Sequence, residues 1–245
     1  MIRQIKDIGK TILPASIVRV MRKIISRNSV LAEDTKAAKR FKGEFFLHAF
    51  KALDFNGIDG DYVEFGSYSG MTFHLAFDQI RRRKTKRHMW AFDSFQGLPQ
   101  AASPLDSHPV WKKGSMSMGV DEFHEICRKH SIPDDGYTIV EGFYADTLAH
   151  MSAKALPTNI ALAYIDCDMY SSAKTVLEFL KPRLKHGMIL AFDDYFCWSP
   201  KLISGERKAF LDVFAGNKKW EFVRYRNYSW GGLSFVVERA GKTLQ

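Results

Sequence analysis

The chain has 245 residues, of which 46% are hydrophobic and 26% charged, with 17 Gly, 8 Pro and 3 Cys. That balance excludes disordered, collagenous and low-complexity classes, and no apolar run nears the roughly 18–20 residues that span a bilayer. The net charge of +9 suggests a polyanion binder until it is located. Arg3, Lys6, Lys10, Arg19, Arg22, Lys23 and Arg27 crowd the first thirty residues beside a single acid, Asp7, and residues 81–87 read RRRKTKR. Together these two stretches outweigh the net charge, so the rest of the chain is mildly acidic. Cys127, Cys167 and Cys197 are too few and too unevenly spaced for a disulfide framework or zinc knuckle. With no apolar leader before a small-residue cleavage site, they point to a reducing, cytoplasmic setting.

After Pro14, Ile17, Val20, Met21 and Ile24 form one helical stripe, with Arg19, Arg22 and Lys23 opposite. This predicts a basic amphipathic arm over residues 1–33. It suits an anionic membrane surface or, more readily, packing on its own domain or on a second subunit of a homo-oligomer. A catalytic-size domain over 34–245 follows. It opens with a helix to about Phe55 that ends in the turn Asn56-Gly57-Ile58-Asp59-Gly60.

Strands are then predicted at 61–65, 88–93, 137–141, 160–166 and 187–194. Helices are predicted at 69–83, 120–130, 144–152, 170–183 and 205–215. Two last strands, 220–225 and 233–238, are joined through Gly231 and Gly232. Alternating strands and helices predict an α/β fold, a mostly parallel Rossmann-like sheet covered on both faces, with an antiparallel closing hairpin.

Glu64-Phe65-Gly66-Ser67-Tyr68-Ser69-Gly70 closes the first strand and opens the next helix, where a parallel sheet places ligands. Asp93 ends the second strand, at a spacing suited to an acid on ribose hydroxyls. The spacing is not that of a dinucleotide fingerprint. Glu64 would repel a pyrophosphate but accept a bond from an amino group, so S-adenosylmethionine fits. Asp166 and Asp168 end the fourth strand, and Asp193 and Asp194 the fifth. Like charges crowded at one sheet edge call for a hard divalent cation, Mg²⁺ foremost. Cys167, between two of the acids, should point back into the core.

The motifs Glu64–Gly70, Phe92-Asp93-Ser94-Phe95-Gln96-Gly97-Leu98-Pro99, Glu141–Leu148, Ile165–Tyr170 and Asp193-Asp194-Tyr195 occur in that order. Together they resemble the macrocin O-methyltransferase family, which methylates sugar hydroxyls. The resemblance covers about residues 58–215. It implies a class I methyltransferase fold with seven strands, the last antiparallel. S-adenosylmethionine would lie over Gly66, Ser67, Tyr68 and Gly70, with Asp93 and Ser94 at the ribose and Glu141, Gly142 and Phe143 near the adenine. Asp166, Asp193 and Asp194 match the family's metal ligands, and Asp168 its base. The implied partner is a small sugar-type acceptor. The chain departs from the family in having Cys167 where glycine is usual and in the residues Ser67 to Met71. The loop 100–118 matches nothing in it; there His108, near Trp111, Lys112 and Lys113, is a candidate acceptor contact, and Met116, Met118 and Met169 are candidates to line the acceptor pocket, core packing being the usual role of Met.

Two rival readings remain. Tyr170 and Lys174 have the Tyr-x-x-x-Lys spacing of short-chain oxidoreductases, though the glycine turn those enzymes need is missing. The tract 81–87 could serve an RNA-directed enzyme, but its place at a helix end favours a solvated cationic cap and no nucleic-acid partner.

Overall fold

A computed structural model of the chain describes residues 15–152 and 155–241, with side chains from Glu33 onward. Helix α1 spans Ala15–Phe55 without a break at the expected boundary near residue 33, since no Gly or Pro interrupts the chain between Ala15 and Lys42. The stripe Ile17, Val20, Met21, Ile24 lies outside the residues whose side chains are described. The chain divides into two compact units, Met1–Arg40 and Phe41–Gln245.

Seven strands, β1 (Asp61–Phe65), β2 (Met89–Asp93), β3 (Tyr137–Glu141), β4 (Ile160–Ile165), β5 (Ile189–Phe192), β6 (Trp220–Asn227) and β7 (Leu233–Arg239), form one sheet in the order β3-β2-β1-β4-β5-β7-β6. The pairs from β3 through β5 are parallel; β7 runs antiparallel to both β5 and β6. The order reverses direction at β1, with β2 on one side and β4 on the other, so a crevice opens beyond their C-terminal ends. This is the class I methyltransferase sheet that the motif order implies.

Period-two alternation sorts the sheet's side chains into two cores. Val63, Phe65, Ala163, Ile165, Leu190 and Phe192 pack under α4 (Tyr144–His150), α5 (Tyr170–Leu180) and α6 (Gly205–Val213). Tyr62, Leu162, Tyr164 and Ala191 face the other way. There they meet Phe45, Phe46, Phe50 and Leu53 of α1, Phe73 of α2 (Met71–Arg83) and Phe123 of α3 (Val120–Lys129). All ten residues of β4 and β5 are buried, the pattern of central strands covered on both faces.

Two of the six basic residues in the tract, Arg83 and Arg87, are taken up by this packing, and Arg81, Arg82, Lys84 and Lys86 are exposed. Buried Arg87 donates to Asp54 Oδ1 at 2.8 Å and to the carbonyls of Gly60 at 2.8 Å and Ile58 at 2.7 Å. Arg83 donates to the Leu47 carbonyl, and Arg81 pairs with Asp78. Arg83 and Arg87 fasten the entry to β2 onto the end of α1 and the turn after it. Among the described residues, no helix is long and apolar enough to cross a membrane.

Candidate active site

Beyond the strand ends, the sheet's ladder continues for one more residue. Gly66 N–H donates to the Phe92 carbonyl, Asp166 N–H to Phe65, Asp193 N–H to Ile165 and Gly142 N–H to Asp93, all at 2.8–2.9 Å. The loops bearing the predicted residues are thereby held in the register of the sheet itself. Gly66 has φ +91, and a Cβ there would stand 1.8 Å from the Asp166 carbonyl oxygen. Only glycine lets the β1 and β4 loops meet so closely. Gly70 packs on Ile126 of α3.

Asp93 ties the turn down: Oδ2 accepts from Ser67 N–H and Oδ1 from Phe95 N–H, both at 2.7 Å. Its carboxyl is raised by burial, against those two bonds. Glu64 is 0% exposed, below the turn and not on the cavity wall. Its carboxylate accepts from the Tyr62 hydroxyl and, at 3.1 Å, from Thr72 Oγ1, and burial raises it to about 7. Ser67 is also fully buried, and Glu141 and Gly142 lie off the wall. Gly66, Tyr68, Asp93, Ser94 and Phe143 line a cavity of about 630 Å³.

The same cavity reaches the acidic cluster. Oxygens of Asp166, Asp168 and Asp194 lie within 4.8 Å of one another. Burial, reinforced by their mutual repulsion, pushes Asp166 and Asp168 well above the ordinary carboxylate range and raises Asp194 as well. Among the described residues the Asp166 carboxylate has no hydrogen-bond donor, and the charge of Lys42 offsets its burial only in part. Three converging carboxylate oxygens fit a divalent cation that prefers oxygen.

Asp193 is engaged elsewhere: Oδ2 accepts from Lys42 Nζ at 2.7 Å and Oδ1 from the Tyr164 hydroxyl at 2.6 Å. Burial alone would lower Lys42, but Asp193, with Asp166 and Asp194, raises it above its usual value, so it is an ammonium.

Cys167 is buried in the core as expected, and its N–H donates to Glu206 Oε1 at 3.1 Å. The other oxygen of Glu206 accepts from Asp194 N–H at 3.0 Å. A single buried carboxylate at the start of α6 thus fastens both acid-bearing loops. Asp168 itself has φ +59, rare for a residue with a Cβ.

In the loop 100–118, Asp106 is only 1% exposed. Its Oδ2 accepts from Ala102 and Ser103 N–H, and its Oδ1 from Ser171 N–H at 2.7 Å in the first turn of α5. His108 and Trp111 stack at 4.1 Å and line the cavity with Met116 and Trp230. Met118 and Met169 are core residues.

Lys42, Asp106, Glu206 and Trp230 escape a reading by motif. Ser103-Pro104-Leu105-Asp106 does carry a capping-box signature, which the structure forms; the other three have no local signal. The oxidoreductase pair does not assemble. Tyr170 donates to Asp212 at 3.1 Å, and Lys174 lies beside Glu178 on the exposed side of α5, away from the cavity.

A profile of the macrocin-O-methyltransferase (TylF) family matches residues 37–208. The chain belongs to that family. It is 30% identical over 149 residues to the 8-demethyl-8-(2,3-dimethoxy-alpha-L-rhamnosyl)-tetracenomycin-C 4'-O-methyltransferase of Streptomyces olivaceus. The match covers 57% of this chain and 54% of that one. It is 26% identical over 167 residues to the demethyldecarbamoylnovobiocin O-methyltransferase of Streptomyces niveus, covering 64% of this chain and 62% of the relative. The chain therefore spans little more than half the length of these curated relatives. Among solved structures, the O-methyltransferase NovP superposes with a TM-score of 0.67 at 22% identity, over 82% of this chain and 80% of that one. This likeness shows that the fold is shared.

Proposed function

We propose that this macrocin-family chain transfers the methyl group of S-adenosylmethionine to a hydroxyl of a small sugar-type acceptor, with Mg²⁺ as the ion of the acidic cluster. The observation that carries this reading is that the glycine turn with Asp93 and the trio Asp166, Asp168 and Asp194 line one cavity. In support, the Streptomyces olivaceus relative is named for a rhamnosyl-bearing acceptor.

S-adenosylmethionine supplies a methyl group already activated as a sulfonium, so the protein's task is to orient an oxygen in line with the C–S bond. Gly66 opens the space for a nucleoside against the backbone. Asp93 retains lone pairs for ribose hydroxyls, and Phe143 offers an apolar wall to the base. Asp166, Asp168 and Asp194 would hold a divalent ion, which would supply Lewis acidity to activate an acceptor hydroxyl. Asp168, on the same cavity wall, accepts the departing proton. His108, Trp111, Met116 and Trp230 bound the acceptor side, and the stacked ring faces suit the C–H faces of a pyranose.

Calorimetric titration with S-adenosylmethionine, with and without Mg²⁺, followed by a screen of sugar acceptors, tests the reading. Full turnover in EDTA refutes the role of the ion, and failure to bind S-adenosylmethionine refutes the whole.

A further inference from the structure

We propose that Trp230, on the turn between β6 and β7, is a specificity-determining residue that grips, with Val110 and Met116, an apolar group carried by the acceptor sugar. The proposal rests on the methyl-transfer reading above and deepens it, naming what the site takes besides the sugar.

Trp230 lines the cavity and yet is 85% exposed, so its indole stands at the mouth. The turn that carries it is held on both sides. Tyr228 is buried and stacks on Phe45 of α1 at 4.3 Å. Ser229 Oγ accepts from Gly232 N–H at 2.6 Å, and the Gly231 carbonyl accepts from Phe196 N–H at 2.9 Å. Gly231 packs so closely on the loop after β5 that a Cβ would stand 3.0 Å from the Asp193 carbonyl oxygen and 3.1 Å from Cys197 Sγ. The neighbours of Trp230 are thus fixed, and the indole projects from them into solvent.

The loop 100–118 contributes a second apolar element to the same wall. Val110 is 68% exposed and Met116 is partly so. Their segment is pinned at one end by Asp106. At the other, Leu98 N–H donates to the Ser115 carbonyl at 3.0 Å and Gly114 N–H to the Leu98 carbonyl at 2.9 Å. Large apolar side chains held in water at a cavity mouth mark a surface that a ligand covers. Charge decides against a sugar carried on a nucleoside diphosphate, which calls for unpaired cations. Among the described residues Lys42 is the one Lys or Arg on the wall, and Asp193 pairs with it. Lys112 and Lys113 lie off the wall, and burial lowers the pKa of His108. An apolar group needs only surface to leave water against, and Trp230 and Val110 supply it.

Calorimetric titration of the full-length protein, saturated with S-adenosylhomocysteine and Mg²⁺, compares octyl with methyl glycosides of L-rhamnose and D-glucose below their micelle concentrations. For at least one sugar the wild type is expected to bind the octyl form about tenfold or more tightly than the methyl form, as contact with several methylene groups demands. W230A should bring that ratio near one, with W230F restoring part of it, and V110A should cut it about threefold. V223A, exposed on β6 and off the wall, should keep the wild-type ratio. UDP-glucose should bind no better than methyl glucoside. Equal affinity for octyl and methyl forms overturns the proposal, as does an octyl preference that survives in W230A, or UDP-glucose as the tightest ligand. Retained binding of S-adenosylhomocysteine checks that each variant folds. A wild type that does not bind S-adenosylhomocysteine defeats the methyl-transfer reading itself; one that binds it but no octyl glycoside defeats the Trp230 proposal alone.

Discussion

The buried Glu64 offers a quantitative test of how the glycine turn is supported. Its carboxylate has no cation in contact, only the Tyr62 and Thr72 hydroxyls, and burial raises it from 4.5 to about 7. An acid with a raised folded-state pKa keeps its proton in the native protein after the unfolded chain has lost it. Stability therefore falls as pH climbs from about 4.5 to about 7, by up to 1.36 kcal/mol per unit, and levels off above. Over that window the loss is about 3 kcal/mol, of which about 2 kcal/mol falls between pH 5 and pH 7. Glu64→Gln preserves shape and an acceptor for Tyr62 while deleting the titration. Urea unfolding at pH 5, 6, 7 and 8 should show the variant gaining about 2 kcal/mol on the wild type between pH 5 and 7, then a constant gap. In melting temperature this is roughly 4–8 °C for a chain of this size. A gap that stays flat from pH 5 to 8 would refute the idea that burial keeps this carboxyl neutral.

Other outcomes follow from the same geometry. Gly66→Ala places a methyl group against the Asp166 carbonyl in a left-handed conformation. It should cost at least about 1–3 kcal/mol of stability and markedly weaken S-adenosylmethionine binding by calorimetry. Asp168→Asn should abolish most turnover in a methyl-transfer assay while S-adenosylmethionine affinity stays near wild type; retained turnover excludes Asp168 as the base. Asp106→Ala removes the acceptor of three backbone N–H groups. Proteolytic nicking within 100–118 should accelerate and the acceptor KM rise, with S-adenosylmethionine affinity unchanged. Arg87→Ala leaves Asp54 and two carbonyls without their buried donor, so thermal unfolding should drop by the equivalent of about 3 kcal/mol.

The strand order, the glycine turn and the four acids were legible because each is written locally: short apolar runs ending in Gly or Asp, at the lengths a parallel sheet imposes. The pairing of Asp193 with Lys42 was not, because the two stand 151 positions apart. Glu206 was hidden for the same reason: its partners, Cys167 N–H and Asp194 N–H, are main-chain groups and leave no trace in side-chain pattern. Helix α1 runs through residue 33 because charge alone does not break a helix and no Gly or Pro stands between Ala15 and Lys42. Tyr170 and Lys174 have a spacing with chemical meaning on another scaffold, and here they meet surface acids.

The attachment through Asp106 has an evolutionary consequence. One end of the loop is stapled to the first turn of α5 by a buried group, while His108 to Met116 contribute mostly surface. On the proposed function, the outer stretch can be rewritten for a new acceptor without moving the buried carboxylates at the strand ends, much as a tool bit is changed while the chuck stays gripped. Anchorage and variable surface then belong to different parts of a single short connection.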